Sequence, residues 1–299
     1  MPVASTSPRP RTSGTPMREQ LLAFLCQHRA ADTAQLHRML YLRPRPRTDH
    51  MRRCLRQLQE QGLVEAAVRA HHPSVWALSD AGRALTSGWT HLSAQPPRRG
   101  SGLASQRTVH TLTVTRTCLA FLDDARGRGD EFTPLDWRPE TAHPLRDGAA
   151  GGERTLIADA LMRYTRTGQA RGLLRAFVEV DRATESPERL AAKAISYARF
   201  YHSRPAPRRG AQPSGMSWQQ TYPRFPRVLF VLSNAGARAQ AQRIADLQAM
   251  VRQHPLVASL AAEVALGVGV LEDLEELGAS APVWTPLTGS GERRNWMDL

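Results

Sequence analysis

Lysine is almost missing from this chain: of its 40 basic residues, 39 are arginine and only Lys193 is lysine. A genome biased toward arginine codons accounts for the general preference. The two cations are interchangeable where only a solvated charge is wanted and differ where a compact, titratable ammonium is needed. Chance survival and a specific task therefore both stand as readings of Lys193. Cysteine is scarce too. Cys26, Cys54 and Cys118 are odd in number and widely spaced, which excludes a disulfide framework and a zinc-type pair and is expected of a cytoplasmic protein with reduced thiols. No apolar run approaches the roughly 20 residues that span a bilayer. Residues 1–16 are rich in Pro, Ser and Thr without an apolar signal core, and are expected to form a disordered arm. No internal repeat is visible, and no glycine-rich phosphate loop follows a strand.

What the sequence does have is positive charge. The 299 residues carry a formal net charge of +13 and a pI near 11.0. Such an excess favours a polyanionic partner, because each Arg at a phosphate releases condensed counterions. The first hundred residues hold 15 Arg against six acidic residues. Leu21, Leu22, Phe24 and Leu25 supply the apolar face of a helix over 17–29. Asp32 or Thr33 is placed to cap a second helix that runs to Leu40. The basic turn at 42–47, carrying Arg43, Arg45 and Arg47 between prolines, is one that no helix crosses. A third helix over 48–61 turns Met51, Leu55 and Leu58 inward and His50, Arg52, Arg53, Arg56 and Gln57 outward, and Gly62 stops it. Two short strands at 63–66 and 74–78 follow, and 79–82 opens another helix.

Three helices followed by a hairpin at this spacing is the winged-helix arrangement, whose third helix enters the major groove of double-stranded DNA. Arg52, Arg53 and Arg56, with His50, are the candidate groove contacts, and Arg45 and Arg47 the candidate phosphate contacts. The alternative is an ordinary solvated helix face on a dimerisation module. Residues 93–105 read as a linker, dividing a winged helix at 17–92 from a second domain at 106–287, with a tail at 288–299.

The second half alternates helix and strand, which indicates an α/β domain with a mixed sheet, α+β for the chain as a whole. A helix begins near 107–114 and runs through Leu122 or beyond. His110 within it reads as a packed helix residue. Strands are expected at 156–164, 174–181, 228–232 and near 265–270, and helices at 187–201 and 237–253. Two of these strands carry carboxylates where apolar residues belong: Asp159 in one, Glu179 and Asp181 in the other. Alternation puts Glu179 and Asp181 on one side and Val178 and Val180 on the other. Buried carboxylates need a partner or a metal. On the next helix Leu190, Ala194, Tyr197 and Tyr201 share one face, and Lys193 lies on it. Asp159, Glu179, Asp181 and Lys193 are therefore expected to form one cluster, as a structural salt bridge or as a catalytic site. Tyr164 and Tyr197 are candidate nucleophiles for covalent chemistry, although aromatics at such positions are usually core.

The order of these elements, Asp on one strand, Glu-x-Asp on the next and Lys on the following helix, resembles the PD-(D/E)XK nuclease fold, which is restriction-endonuclease-like. More narrowly, the chain resembles the replication-relaxation family of actinobacterial plasmids and mobile elements. The matching segments are residues 108–114, 156–161, 177–184, 190–197, 218–226 and 282–284, so the resemblance covers about 17–287. It implies DNA binding or processing in plasmid replication or conjugative mobilisation. It also implies Mg²⁺ held by Asp159 and Glu179, with the Val180 carbonyl as a further ligand, activating a nucleophile for strand nicking. Two departures stand out. Ala158 replaces the signature Pro, and Asp181 stands where the signature Lys belongs, leaving Lys193 to supply the ammonium. Two readings follow. One is a metal-dependent, relaxase-like endonuclease or nickase. The other is a non-catalytic DNA-binding initiator, accessory factor or transcriptional regulator with a degenerate nuclease fold. Either is expected to act on double-stranded DNA away from any membrane, as a homodimer or with other mobilisation or replication proteins.

Overall fold

The structure, a computed structural model, describes residues 16–41, 48–69, 72–90, 92, 106–145, 154–168, 171–183, 187–205, 215–289 and 291–299. The arm expected at 1–16 (Pro16 apart), the linker at 93–105, and Arg45 and Arg47 lie outside these residues. The chain divides into two compact units, Met1–Leu103 and Ala104–Leu299, and is α+β as a whole. Among the described residues no helix is long and apolar enough to cross a membrane.

In the first unit α1 (Met17–His28) buries Leu21, Leu22, Phe24 and Leu25. A short strand β1 (Ala30–Asp32) leads into α2 (Thr33–Leu40). Asp32 caps α2 in a reciprocal pair: its Oδ1 accepts from the Gln35 amide at 2.8 Å, and its own amide donates to Gln35 Oε1 at 3.1 Å. Two otherwise unpaired amides are thereby satisfied. Helix α3 (Asp49–Glu60) turns Met51, Leu55 and Leu58 inward. Gly62, at φ +68°, then reverses the chain. Strands β2 (Val64–Arg69) and β3 (His72–Leu78) form an antiparallel hairpin, and β1 pairs with the other edge of β3. The sequence hid β1, because three residues between two helices carry no periodicity. Helix α4 (Asp80–Thr86) closes the unit.

The second unit opens with α5 (Gln106–Arg128). A six-stranded sheet follows, in the order β4 (Trp137–Leu145), β5 (Arg154–Arg166), β6 (Gly172–Asp181), β7 (Arg227–Leu232), β8 (Leu266–Val270) and β9 (Thr285–Pro286). It is mixed. The pairs β4–β5, β5–β6 and β8–β9 are antiparallel, while β6–β7 and β7–β8 are parallel. The parallel pairs are linked through α6 (Pro187–His202) and through α7 (Ala237–Gln253) with α8 (Pro255–Glu263); α9 (Leu271–Leu277) follows β8.

One layer of core packs Phe177 of β6 against Tyr197 and Phe200 of α6 and against Tyr222 and Phe225. His143 stacks on Phe200 in the same layer, and burial pushes its imidazole down to about 4, so it is a neutral core residue. Another group of aromatics gathers Phe121 of α5 with Trp137, Trp284 and Trp296. That last contact corrects the tail expected at 288–299. Trp296 is fully buried, edge-on to Phe121 and Tyr164, and the Met297 carbonyl accepts a hydrogen bond from Arg227. A large indole with so much apolar surface belongs in the core wherever the chain can bring it there.

Candidate functional site

Two places carry the candidate residues, one in each unit. On α3, His50, Arg52, Arg53, Arg56 and Gln57 are all exposed, opposite the buried Met51, Leu55 and Leu58. With 3.6 residues per turn, that spacing puts the three arginines on one solvent face.

In the second unit the β5–β6 ladder runs from Arg166 and Gly172 to Ala160 and Val178 and stops there. The next residues on the two strands are Asp159 and Glu179. The ladder stops because a side chain takes over: the Val180 amide donates to Asp159 Oδ2 at 2.9 Å. The other Asp159 oxygen receives His110 Nε2 of α5 at 3.2 Å. Glu179, 3 % exposed, is held from α6. Lys193 Nζ donates to its Oε2 at 2.8 Å and the Tyr197 hydroxyl to its Oε1 at 2.5 Å. Lys193 also donates to the Ile157 carbonyl at 2.8 Å, which ties α6 to β5 next to Asp159. The structure thus brings Asp159, Glu179 and Lys193 together. It places Asp181 with a different cation: Arg243 of α7 donates to Asp181 Oδ2 at 2.5 Å, and the Ala183 amide to Oδ1 at 2.9 Å. Alternation carries Asp181 one pleat beyond Glu179, where Arg243 of α7 meets it. Arg243 also lines a cavity of about 440 Å³ with Leu190, Met250 and His254, and neither Asp159, Glu179 nor Lys193 borders it.

The electrostatics follow from these contacts. Burial, reinforced by the Asp159 charge, pushes the Glu179 carboxyl up to about 8 against the opposing pull of Lys193 and Tyr197. For Asp159, burial acts upward, but the His110 bond and charge, Lys193 and the Val180 amide outweigh it and hold the group below its usual range. Burial alone would depress His110; the bond and charge of Asp159, with Glu179 behind it, raise it instead, against Arg182. The result is an ionised Asp159 beside an imidazole that favours its charged form, next to a carboxyl that favours its neutral form.

His110, Tyr197, Ile157 and Arg243 complete this arrangement, and three of them gave no functional signal in the sequence. Their roles depend on α5, β5 and α7 converging on the end of β6, which no spacing along the chain records. Tyr197 alone drew notice, as a candidate nucleophile. Its hydroxyl is instead buried and bonded to Glu179, and burial pushes it up, with the Glu179 charge and bond adding to the shift.

A Mg²⁺ ion on Asp159 and Glu179 was the expectation from the resemblance. In this arrangement the donor set does not fit one. Every carboxylate oxygen of the two residues already accepts a proton donor, two of the four donors are Lys193 and His110, and Glu179 is almost fully enclosed. A Mg²⁺ ion would have to displace these donors, and as a hydrated octahedral cation it also needs room for water.

A family model described as replication-relaxation matches residues 22–214. The chain belongs to that family. The match spans both places just described, α3 in the first unit and the His110, Asp159, Glu179 and Lys193 group in the second. No curated protein and no solved structure matches this replication-relaxation protein.

Proposed function

We propose that this replication-relaxation protein binds double-stranded DNA through α3 of its first unit, which acts as the recognition helix of a winged helix, in the replication or mobilisation of a plasmid or mobile element. The observation that carries this reading is the exposed face of α3, where Arg52, Arg53 and Arg56 stand opposite a fully apolar buried face. Arginine donates in a planar fork that suits both guanine edges and phosphates. The β2–β3 hairpin is the wing, and Arg45 and Arg47 are proposed as phosphate contacts. Fluorescence anisotropy with duplex DNA tests the reading. Arg53→Ala with Arg56→Ala should cost about 1–3 kcal/mol for each lost base contact, and binding equal to that of the native chain rejects α3 as the reader.

In the second unit the chain's own residues serve as one another's partners. Lys193 and Tyr197 hold Glu179, His110 holds Asp159, and Arg243 holds Asp181. This supports a nuclease-like domain in a binding role. Strand nicking is the second reading, favoured by the meeting of Asp159, Glu179 and Lys193 in the order of the nuclease signature. It requires the carboxylates to release their present partners when DNA arrives. Supercoiled plasmid incubated with and without Mg²⁺ separates the two. Nicking that Lys193→Ala abolishes establishes the second reading, and intact supercoils under both conditions support the first.

A further inference from the structure

Three arginines on adjacent strands of the large sheet take no part in either place described above. Arg163 of β5 stands directly across from Arg175 of β6. Arg138 of β4 pairs with Leu161, two residues from Arg163, and so lies on its diagonal. Like charges facing one another across an antiparallel pair destabilise it, so this placement runs against the sheet's own stability. The charges of all three arginines act on the buried Tyr222 hydroxyl. Burial, with the Arg163 charge behind it, holds the Arg138 guanidinium below its usual range.

Neither Arg138 nor Arg163 forms an ion pair among the described residues. Asp136, whose charge reaches Arg138, gives its Oδ2 to the amide and hydroxyl of Thr133. Arg163 Nε is buried without a hydrogen-bond partner, and a buried donor left unpaired is costly. A tetrahedral oxyanion removes both penalties at once. Its negative charge cancels the repulsion, and its oxygens accept the forked N–H groups in charge-assisted bonds.

We propose that Arg138, Arg163 and Arg175 form an oxyanion site for a phosphate group, supplied either by the backbone of bound DNA or as free phosphate. The DNA source rests on the DNA-binding reading above; the phosphate site itself does not. Inorganic phosphate, against chloride at equal ionic strength, should raise the melting temperature of the full chain by about 3–6 °C at ten times its Kd. Arg163→Gln and, separately, Arg175→Gln should lose that rise. If the source is DNA, each variant should also lower the salt slope of duplex binding by about 0.9. A lost rise with an unchanged slope assigns the site to free phosphate. Phenylglyoxal modification of the native chain, mapped by mass spectrometry, needs no variant to fold. Phosphate should slow the reaction at Arg138, Arg163 and Arg175 severalfold relative to chloride. Equal modification rates, or a phosphate response retained in both variants, overturn the proposal. Native DNA affinity in the Arg53→Ala, Arg56→Ala protein would instead overturn α3 as the reader and leave the phosphate readouts as they are.

Discussion

Lys193 spans two strands with one ammonium, donating to a β5 carbonyl and a β6 carboxylate from a helix that packs over both. Removing it leaves two acceptors short of a donor. Its side chain is about a third exposed, and Glu179 can keep a proton in place of its cation. Lys193→Ala should therefore cost about 1–3 kcal/mol rather than the larger penalty of a stranded buried charge. Thermal unfolding measures it, and Lys193→Arg should recover only part, since a planar fork does not fill a point contact. Titration gives a second check. Glu179 binds its proton more tightly folded than unfolded, so its contribution to stability is complete below about 4.5 and is lost as pH rises to about 8. His110, also raised, acts in the same direction. Asp159, lowered, contributes above its ordinary value of 3.8 and loses that contribution as pH falls. Unfolding midpoints should decline between mildly acidic and mildly alkaline pH, and Glu179→Gln should flatten that decline. A wild-type profile that rises over this interval would contradict the environment described for Glu179.

Among the elements, the first unit depends on its ends. Asp32 both caps α2 and terminates the edge strand β1. Asp32→Ala should cost about 0.5–2 kcal/mol, read as a lower melting temperature. At the start of α4, Gly82 donates its amide to the Ser79 hydroxyl and lies so close to the hairpin that an added Cβ would sit 2.0 Å from the Leu63 carbonyl oxygen. That contact is with backbone, which cannot swing aside. Gly82→Ala should destabilise the first unit by about 1–3 kcal/mol, although alanine is ordinarily the better helix former. Equal stability of this variant and the native chain would show that α4 stands further from the hairpin than the structure has it.

For the molecule as a whole, the division near residue 103 leaves each unit with its own apolar core. Residues 104–299 expressed alone should show a cooperative unfolding transition. Ending the same chain at residue 287 should abolish or sharply weaken it. The last twelve residues bring in Trp296 and Met297, 0 % and 4 % exposed, and removing a buried Trp alone costs about 3–5 kcal/mol. A 104–287 product as stable as the longer one would return these residues to the role of a tail.

Local order was written plainly in the sequence. The cap of α2, the apolar periods of α1, α2, α3 and α6, the alternation in β5 and β6, and the outward arginines of α3 depend on neighbours within a few residues, and such patterns survive any tertiary arrangement. The grouping of carboxylates with a lone lysine was legible for the same reason, because strand period and helix phase both pointed at one end of one strand. What the tertiary structure decided depended on residues far apart in the chain. It gave Asp159 to His110, Asp181 to Arg243 rather than Lys193, set Arg163 across from Arg175, and drew Trp296 back beneath Phe121. Each of these is a contact between separate elements, fixed by the register of the sheet and by which helix lies against it, and neither quantity has a local signature.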